Sequence, residues 1–427
     1  MTPFRVGIAG CGTVGSGVVK LLKENASLIE KRIGRKIEIA FVADRDTEKV
    51  RKLGIPADKT YNDGLKALSA ECDAVVELIG GTTVAKRLIE EALKRKKHVV
   101  TANKALLADF GRDLFFLARE NGVSLKFEAS VGGGIPVIKA LREGLVGNRI
   151  KAVYGILNGT TNYILTEMTE KGIDFETALK EAQRLGYAEA DPTLDVEGFD
   201  AAHKIAVLSS LAFCRWVKTE NVYVKGISDL TPLDIEIAKE EFGYVVKLLA
   251  ISKVTDGNLE VRVHPTMIPE DHILASVNGV FNACLIEGDF VGETLYYGKG
   301  AGEKPTASAV VSDIIDLALG NSYSVPECLF KEEELKISEP DEFISSFYLR
   351  FTALDRPGVL ARIGEVLARY NISIRMALQK GRQIKGAVPV VMTTHPARKR
   401  EVQKAIEEID KLDVIVKPTF VCMIEEL

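Results

Sequence analysis

The 427-residue sequence is short of the features that mark several large classes of protein. Its six cysteines, Cys11, Cys72, Cys214, Cys284, Cys328 and Cys422, lie far apart with no CxxC pair. That excludes a dense disulfide scaffold and reads as buried thiols of a reducing compartment, with no disulfide expected. The five histidines (His98, His203, His264, His272, His395) show no HExxH or other transition-metal spacing, which disfavours a zinc mechanism. Neither sign of charge dominates: 56 basic against 60 acidic side chains leave a net charge of -4. The balance gives no reason to expect a nucleic acid or an anionic membrane surface as partner. No run approaches the ~18 apolar residues of a membrane span, and Met1 leads into an apolar strand without a signal-peptide pattern. A cytosolic protein with a small-molecule partner is expected.

What is present is enough hydrophobic content, 46%, for sizeable cores, and a length that implies two to three domains. Phe4–Ala9 reads as a strand, followed at once by Gly10-Cys11-Gly12-Thr13-Val14-Gly15 and an amphipathic helix. In such a unit the first glycine allows the turn and the second lets backbone approach a pyrophosphate. The third lets helix pack on strand, and the helix N-terminus faces the negative charge. The second strand, Ile37–Ala43, ends in Asp44-Arg45-Asp46. An acid here holds the ribose 2'-hydroxyl of NAD, whereas an arginine accepts the 2'-phosphate of NADP, and the chain offers both. Further alternation supports a doubly wound parallel sheet: a strand from Ala74, a turn at Gly80-Gly81, a helix to Lys94, and a strand His98–Thr101 that ends at Lys104.

A polar cluster falls in EAQRLGYAEADPTLDVEGFDAAHK, residues 181–204. Glycines and a proline break the chain before a helix that starts near Gly198, so Asp200 and Lys204 stand one turn apart on one face. Such a pair is ordinarily a solvated surface contact. Here the helix continues as AVLSSLAFCRW, too apolar for a surface, so Lys204 begins a helix that becomes buried. A lysine at a core boundary beside carboxylates can serve as a positioned proton donor. Glu189, Asp191 and Asp195 add acid just ahead of it, a density that invites a cationic partner.

The run resembles the signature of the homoserine dehydrogenases: Ala182, Gly186, Tyr187, Asp191, Pro192, Asp195, Val196, Gly198, Asp200 and Lys204 occupy its fixed places. The resemblance implies an NAD- or NADP-dependent reversible reduction of L-aspartate 4-semialdehyde to L-homoserine, on the route to threonine, methionine and isoleucine. Under it Lys204 is the proton donor, directly or through water, and Asp200 orients that lysine or binds the substrate hydroxyl. Lys104 is the family's second active-site lysine, between cofactor and substrate, and Glu189 holds the substrate ammonium. Asp195 and the turn Asn158-Gly159-Thr160 lie beside the substrate; from the residues alone, Thr161 or Thr160 is the candidate helix cap. Gly80, Gly186 and Gly302 join the cofactor site, with the segment at Gly302 closing over it. The segment Leu125–Pro136, a strand into a glycine-rich turn, implies a sodium ion held by Glu128 and the backbone oxygens of Val131, Gly133 and Ile135.

From Gly226 to Gly292 further short strands and a helix (Gly243 to Ser252) are expected as an open mixed sheet, whose faces suit a subunit contact in a homodimer or higher homo-oligomer. Residues 321–345, rich in Ser, Pro and Glu, read as a linker. The tail then runs strand, helix, strand, strand, helix, strand, a ferredoxin-like order. With the turn Asp355-Arg356-Pro357-Gly358 and Asn371-Ile372 it resembles an ACT domain, a module that commonly binds a free amino acid at a dimer interface. Asp355, Gly358, Val359, Leu360, Asn371 and Ile372 are its implied regulatory residues, and threonine its implied ligand. The expected architecture is therefore α/β, with three parts. A Rossmann-type domain covers 1–135, completed by about 303–320. An α+β catalytic and dimerisation domain covers 136–302, and an ACT domain covers 346–427.

Rival readings are each short of a residue. A 2-hydroxy acid dehydrogenase with a regulatory tail calls for an Arg/Glu/His constellation that is not evident, and aspartate-semialdehyde dehydrogenase needs a cysteine nucleophile with a positioned histidine. A catalytically silent amino-acid sensor would have no reason to keep a lysine beside this acid cluster.

Overall fold

The computed structural model describes residues 2–331, 335–379 and 386–427. Apolar runs at the N-terminal end form six parallel strands, β1 (Phe4–Ala9), β2 (Ile37–Ala43), β3 (Thr60–Tyr61), β4 (Ala74–Glu77), β5 (His98–Thr101) and β6 (Leu125–Lys126). Their order is β3-β2-β1-β4-β5-β6. The chain leaves β1 on one side and resumes at β4 on the other, so a crevice opens beyond the carboxyl ends of these two strands, where such sheets bind ligands. Both faces of β4 are buried, as the continuous Ala-Val-Val run requires. The late helix Glu303–Ala318 returns to this sheet: Ala307, Val310, Ile314 and Leu317 share a core with Val6, Ile8 and Val18. It crosses the first helix, Thr13–Glu24, so closely that a Cβ on Gly17 would lie 2.8 Å from Glu303 Cγ.

The second sheet is built from β7 (Ile150–Ile156), β8 (Tyr223–Val224), β9 (Tyr244–Thr255), β10 (Asn258–Pro269), β11 (Phe281–Gly288) and β12 (Gly292–Lys299). The tail adds β13 (Lys336–Ile337), β14 (Ile344–Leu354), β15 (Ile374–Gln379), β16 (Ala387–Thr394), β17 (Ala397–Arg398) and β18 (Ile415–Ile424). The tail's helices, Val359–Arg369 and Lys399–Ile409, bury Ile363, Leu367, Val402 and Ile406 against Phe347 and Phe351 of its own strands. All of these strands belong to one sheet, with the path β12-β11-β7-β9-β10-β18-β14-β16-β15. The seam is a parallel pairing of β10 with β18 at Thr266–Met423 and Met267–Ile424. Buried ion pairs fasten it: Arg262 Nη2 lies 2.6 Å from Glu425, and Arg350 Nε 2.6 Å from Asp234.

Three expectations fail here. Gly243–Ser252 is not a helix: Gly243 ends the helix Pro232–Phe242, and the following YVVKLLAISKVT is β9. That strand is buried on both faces, so its sequence carries no alternation from which to tell it from a buried helix. The segment after Asn321 is not a loose linker. Leu329 and Phe343 are buried, β13 pairs with β10, and Trp216 Nε1 donates to the Leu329 carbonyl at 2.7 Å; residues 332–334 of this stretch lie outside the described ones. Cys214 and Cys328 are joined in a disulfide with their Cα atoms 5.5 Å apart. The two stand 114 residues apart in sequence, and only folding the connector onto the end of helix Phe199–Phe213 brings them together. Cys11, Cys72, Cys284 and Cys422 are free thiols.

Candidate active site

The glycine turn after β1 is shaped for close backbone approach. Gly10 has φ +97°, and a Cβ on it would lie 2.4 Å from the Leu78 backbone; one on Gly15 would lie 2.0 Å from the Gly10 carbonyl oxygen. Gly12, by contrast, faces open space, and no side chain caps the helix that starts at Thr13 and Val14. The result is a cradle with free amides at a helix N-terminus, which fits a pyrophosphate. Asp44 supports the turn: its carboxylate accepts from Cys11 N at 2.5 Å and from Asp46 N at 2.9 Å. Arg45 beside it is exposed.

A second turn at the crevice, Gly80-Gly81, has positive φ at both residues and open space beside both. Its shape depends on residues that motif reading missed. The fully buried Glu77 accepts from Ile79 N at 2.8 Å, Gly80 N at 3.1 Å and the Thr101 hydroxyl at 2.7 Å. Asn103 donates to the Gly81 carbonyl and caps the helix Lys104–Glu120 through Leu106 N. The available signal was a glutamate inside an otherwise apolar parallel strand.

Lys104 leaves that helix start to meet the second domain. Its Nζ lies 2.8 Å from Asp200 Oδ1, and Lys204 Nζ lies 2.6 Å from Asp200 Oδ2. One buried carboxylate thus bridges two lysines. Gly198, at φ +86°, turns the chain into the helix Phe199–Phe213, whose first turn carries Asp200 and whose second carries Lys204. Lys204 also donates to the Leu157 carbonyl at 2.6 Å. Burial alone would push the Asp200 carboxyl up, but Lys204 and Lys104 outweigh it and hold the group well below the usual carboxylate range. Burial pushes the Lys204 ammonium down, and Lys104 adds to this against the opposing pull of Asp200. A buried, acidified ammonium held on a carboxylate can deliver a proton to a neighbouring oxygen.

Asn158 extends the cluster. Its Nδ2 donates to Asp195 at 2.6 Å and to Asp200 at 2.9 Å, while its Oδ1 accepts from Thr161 N. It, and neither threonine, caps helix Gly159–Lys171; the Thr161 hydroxyl donates to Asn158 Oδ1 at 3.0 Å and the Thr160 hydroxyl to the Tyr187 carbonyl at 2.7 Å. Thr160 thereby anchors the loop that carries Gly186, itself at positive φ beside open space. Gly159 lies against Val280, where a Cβ would sit 2.8 Å from the carbonyl oxygen. Glu189 is exposed and its carboxylate stands outside the bonded cluster.

The segment read for a cation contains a buried acid pair. Glu128 accepts from Ile138 N at 3.0 Å and Lys139 N at 2.8 Å, and its own amide donates to Asp313 at 2.7 Å. Burial and the neighbouring Asp313 push the Glu128 carboxyl up to about 8, and burial pushes Asp313 up to about 6. Asp313 Oδ1 has no partner. Val131 and Ile135 are buried, and Gly133 packs so tightly on Gly300 that a Cβ would lie 2.6 Å from its carbonyl carbon and oxygen. Two residues on, Gly302 holds φ +116° and starts the return helix. In the tail, Gly358 at φ +88° starts helix Val359–Arg369 and Asn371 at φ +56° follows its end. Asp355 and Leu360 are exposed and Val359 and Ile372 buried.

Comparison with known proteins identifies the family. The family model for the homoserine dehydrogenase NAD-binding domain matches residues 10–128, that for homoserine dehydrogenase matches 136–315, and that for the ACT domain matches 347–414. A homoserine dehydrogenase of Neisseria gonorrhoeae is 47% identical over the whole of both chains. A homoserine dehydrogenase of Thiobacillus denitrificans, known from a crystal structure, superposes with a TM-score of 0.93 at 44% identity, covering 100% of this chain and 99% of its own. A hyperthermophilic archaeal homoserine dehydrogenase mutant solved in complex with NADPH superposes at 0.64 with 28% identity, covering 75% of this chain and 98% of its own. The chain belongs to the homoserine dehydrogenases, oxidoreductases with an NAD-binding domain, and carries a C-terminal ACT domain.

Proposed function

We propose that the chain reversibly reduces L-aspartate 4-semialdehyde to L-homoserine with NADPH, Lys204 being the proton donor. The observation that carries this is the Asp200 bridge, 2.6 Å to Lys204 and 2.8 Å to Lys104. The nicotinamide supplies the hydride to the aldehyde carbon. As the carbonyl oxygen gains charge, Lys204 Nζ gives it a proton and Lys104 stabilises it electrostatically. Asp200 keeps both ammonium groups on one small volume. Asn158 and Asp195 shape the substrate side of that volume, Gly159 and Thr160 set the turn beside it, and Glu189 waits on the outer loop for the substrate ammonium. A spectrophotometric assay with homoserine and NADP tests the activity directly, and absence of turnover would sink the reading.

For the coenzyme, both Asp44 oxygens already hold backbone amides, and the exposed Arg45 is the group left for a 2'-phosphate. Arg45→Ala is expected to lower kcat/KM with NADPH about tenfold or more, one charge-assisted contact, while kcat/KM with NADH changes little. An unchanged ratio would remove Arg45 from this role.

The acid pair Glu128 and Asp313, with an unpartnered buried oxygen, suits a monovalent cation. Glu128 and the carbonyls of Val131, Gly133 and Ile135 would hold sodium, an all-oxygen set for a hard cation. Sodium chloride is then expected to raise Tm above choline chloride at equal ionic strength, and Glu128→Gln to abolish the difference; equal melting of the wild type in the two salts would count against the ion. The tail is proposed to bind threonine at the turn of Asp355, Gly358, Val359 and Leu360 with Asn371 and Ile372, between two copies of the chain, and to lower activity.

A further inference from the structure

One amide stands out in the apolar run of β11. Asn282 is 2% exposed, and its side chain makes no hydrogen bond among the described residues. Ala283 packs in the core on one face of the sheet. Cys284 shares a core with Ile205 and Leu208 of the helix Phe199–Phe213 on the other, so Asn282, two positions before Cys284, points to the side of the catalytic helix. Buried polar groups are ordinarily bonded, and an exception asks for a partner that the chain itself does not supply. Neither atom of this amide is sealed in packing as Asp313 Oδ1 is, so the little surface that Asn282 keeps lies at its polar end.

Two glycines frame that end. A Cβ on Gly159 would lie 3.5 Å from Asn282 Oδ1, and one on Gly300 would lie 2.3 Å from Nδ2 and 2.4 Å from Oδ1. Gly159 opens the helix Gly159–Lys171, and Gly300 leads to Gly302, where the return helix to the first domain begins. β11 pairs with β7 as far as Ala283–Ile156, which sets Asn282 at the level of Leu157, whose carbonyl accepts from Lys204 Nζ at 2.6 Å. The free amide thus stands where the turn at Asn158, the segment before the return helix and the bridged lysines come together.

The donors gathered there suit an anion. A helix leaves its first amides without partners in its own ladder, beside the positive end of its dipole. Of these amides Asn158 takes only that of Thr161, which leaves those of Gly159 and Thr160. Homoserine has three polar ends. Its hydroxyl goes with Lys204 and Lys104 and its ammonium with Glu189, while its α-carboxylate still lacks a partner. A carboxylate only accepts, with two oxygens to satisfy, and two backbone amides with a side-chain NH2 are what it needs.

We propose that Asn282 is a substrate-binding residue, its Nδ2 joining the amides of Gly159 and Thr160 on the α-carboxylate of the amino-acid substrate. The assignment rests on homoserine being that substrate. The probe is 3-aminopropan-1-ol, which is homoserine without its carboxylate, and the quantity read is the preference between the two alcohols, the ratio of their kcat/KM values with NADP. The wild type is expected to prefer homoserine about 100-fold or more, and Asn282→Ala to narrow that preference about tenfold or more through a raised KM for homoserine. Asn282→Asp keeps the shape but sets carboxylate against carboxylate, and is expected to narrow it further. Both variants are checked for an unchanged melting profile and an unchanged KM for NADP. General disturbance of the crevice would slow both alcohols together and leave the preference as it was. A wild type that does not oxidise homoserine sinks the function and the role of Asn282 with it. A wild type that oxidises both alcohols equally well, or a folded variant of either kind that keeps the wild-type preference, overturns the role of Asn282 and leaves the function standing.

Discussion

Replacing Lys204 with alanine is expected to reduce turnover about 100-fold or more while leaving NADPH binding intact, the usual range for loss of a general acid. The split follows from distance within the fold. Lys204 donates to Asp200 and the Leu157 carbonyl, both in the second domain, whereas the cradle at Gly10–Gly15 is shaped by Leu78 and Asp44 in the first. A 100-fold loss is about 2.7 kcal/mol on the barrier, a size that lost packing of one lysine stem would not place on kcat alone. The check is turnover of aspartate semialdehyde at saturating NADPH, with NADPH affinity measured by fluorescence. Near-wild-type turnover removes Lys204 from the chemistry. An equal loss in turnover and NADPH affinity would mean instead that the substitution disturbs the whole crevice.

How much of this was readable beforehand depended on whether a residue's job is local. The turn Gly10–Gly15 works through its own φ angles and the helix that follows it, so six consecutive positions carry the signal. Asp200 and Lys204 are one turn apart on one helix, so their contact is also fixed by spacing. Lys104 is different, because its partner lies across a domain boundary and no spacing announces it. Glu77 likewise acts through Thr101, Ile79 and Gly80, and only the oddity of an acid in a buried strand hints at it. Asn158 rather than a threonine became the helix cap because its amide has two ends, one for Thr161 N and one for the acids Asp195 and Asp200. The pairing of β10 with β18 runs through backbone groups, and its buried ion pair joins Arg262 to Glu425, 163 residues apart, so no local spacing announces the fusion of the catalytic and tail sheets. The disulfide of Cys214 with Cys328 was hidden for a similar reason: two lone cysteines become a pair only through tertiary approach.

Asp200→Asn should be nearly as damaging as the loss of Lys204, and its signature is a displaced pH profile. In the wild type burial pushes the Lys204 ammonium down, and Asp200 is the largest influence holding it up. Asparagine keeps the shape and the contact with Asn158 but not the charge. Burial and the repulsion from Lys104 then face only the weaker pull of Asp195, and a buried ammonium that has lost its contacting counter-charge sheds its proton more readily. With Lys204 as the proposed proton donor, reduction needs it protonated, so activity is lost as pH rises through its pKa; a lower pKa moves the alkaline limb of kcat/KM for aspartate semialdehyde to lower pH. Oxidation of homoserine needs the neutral amine, so its acidic limb moves to lower pH as well. Both limbs shifting in one direction is what distinguishes a displaced lysine from general damage, which lowers the profile without moving it. At neutral pH the reductive rate is expected to fall about 100-fold or more. Profiles of both directions on the same preparation decide the matter: limbs that stay put, or that move to higher pH, would show that Asp200 does not set the charge of Lys204.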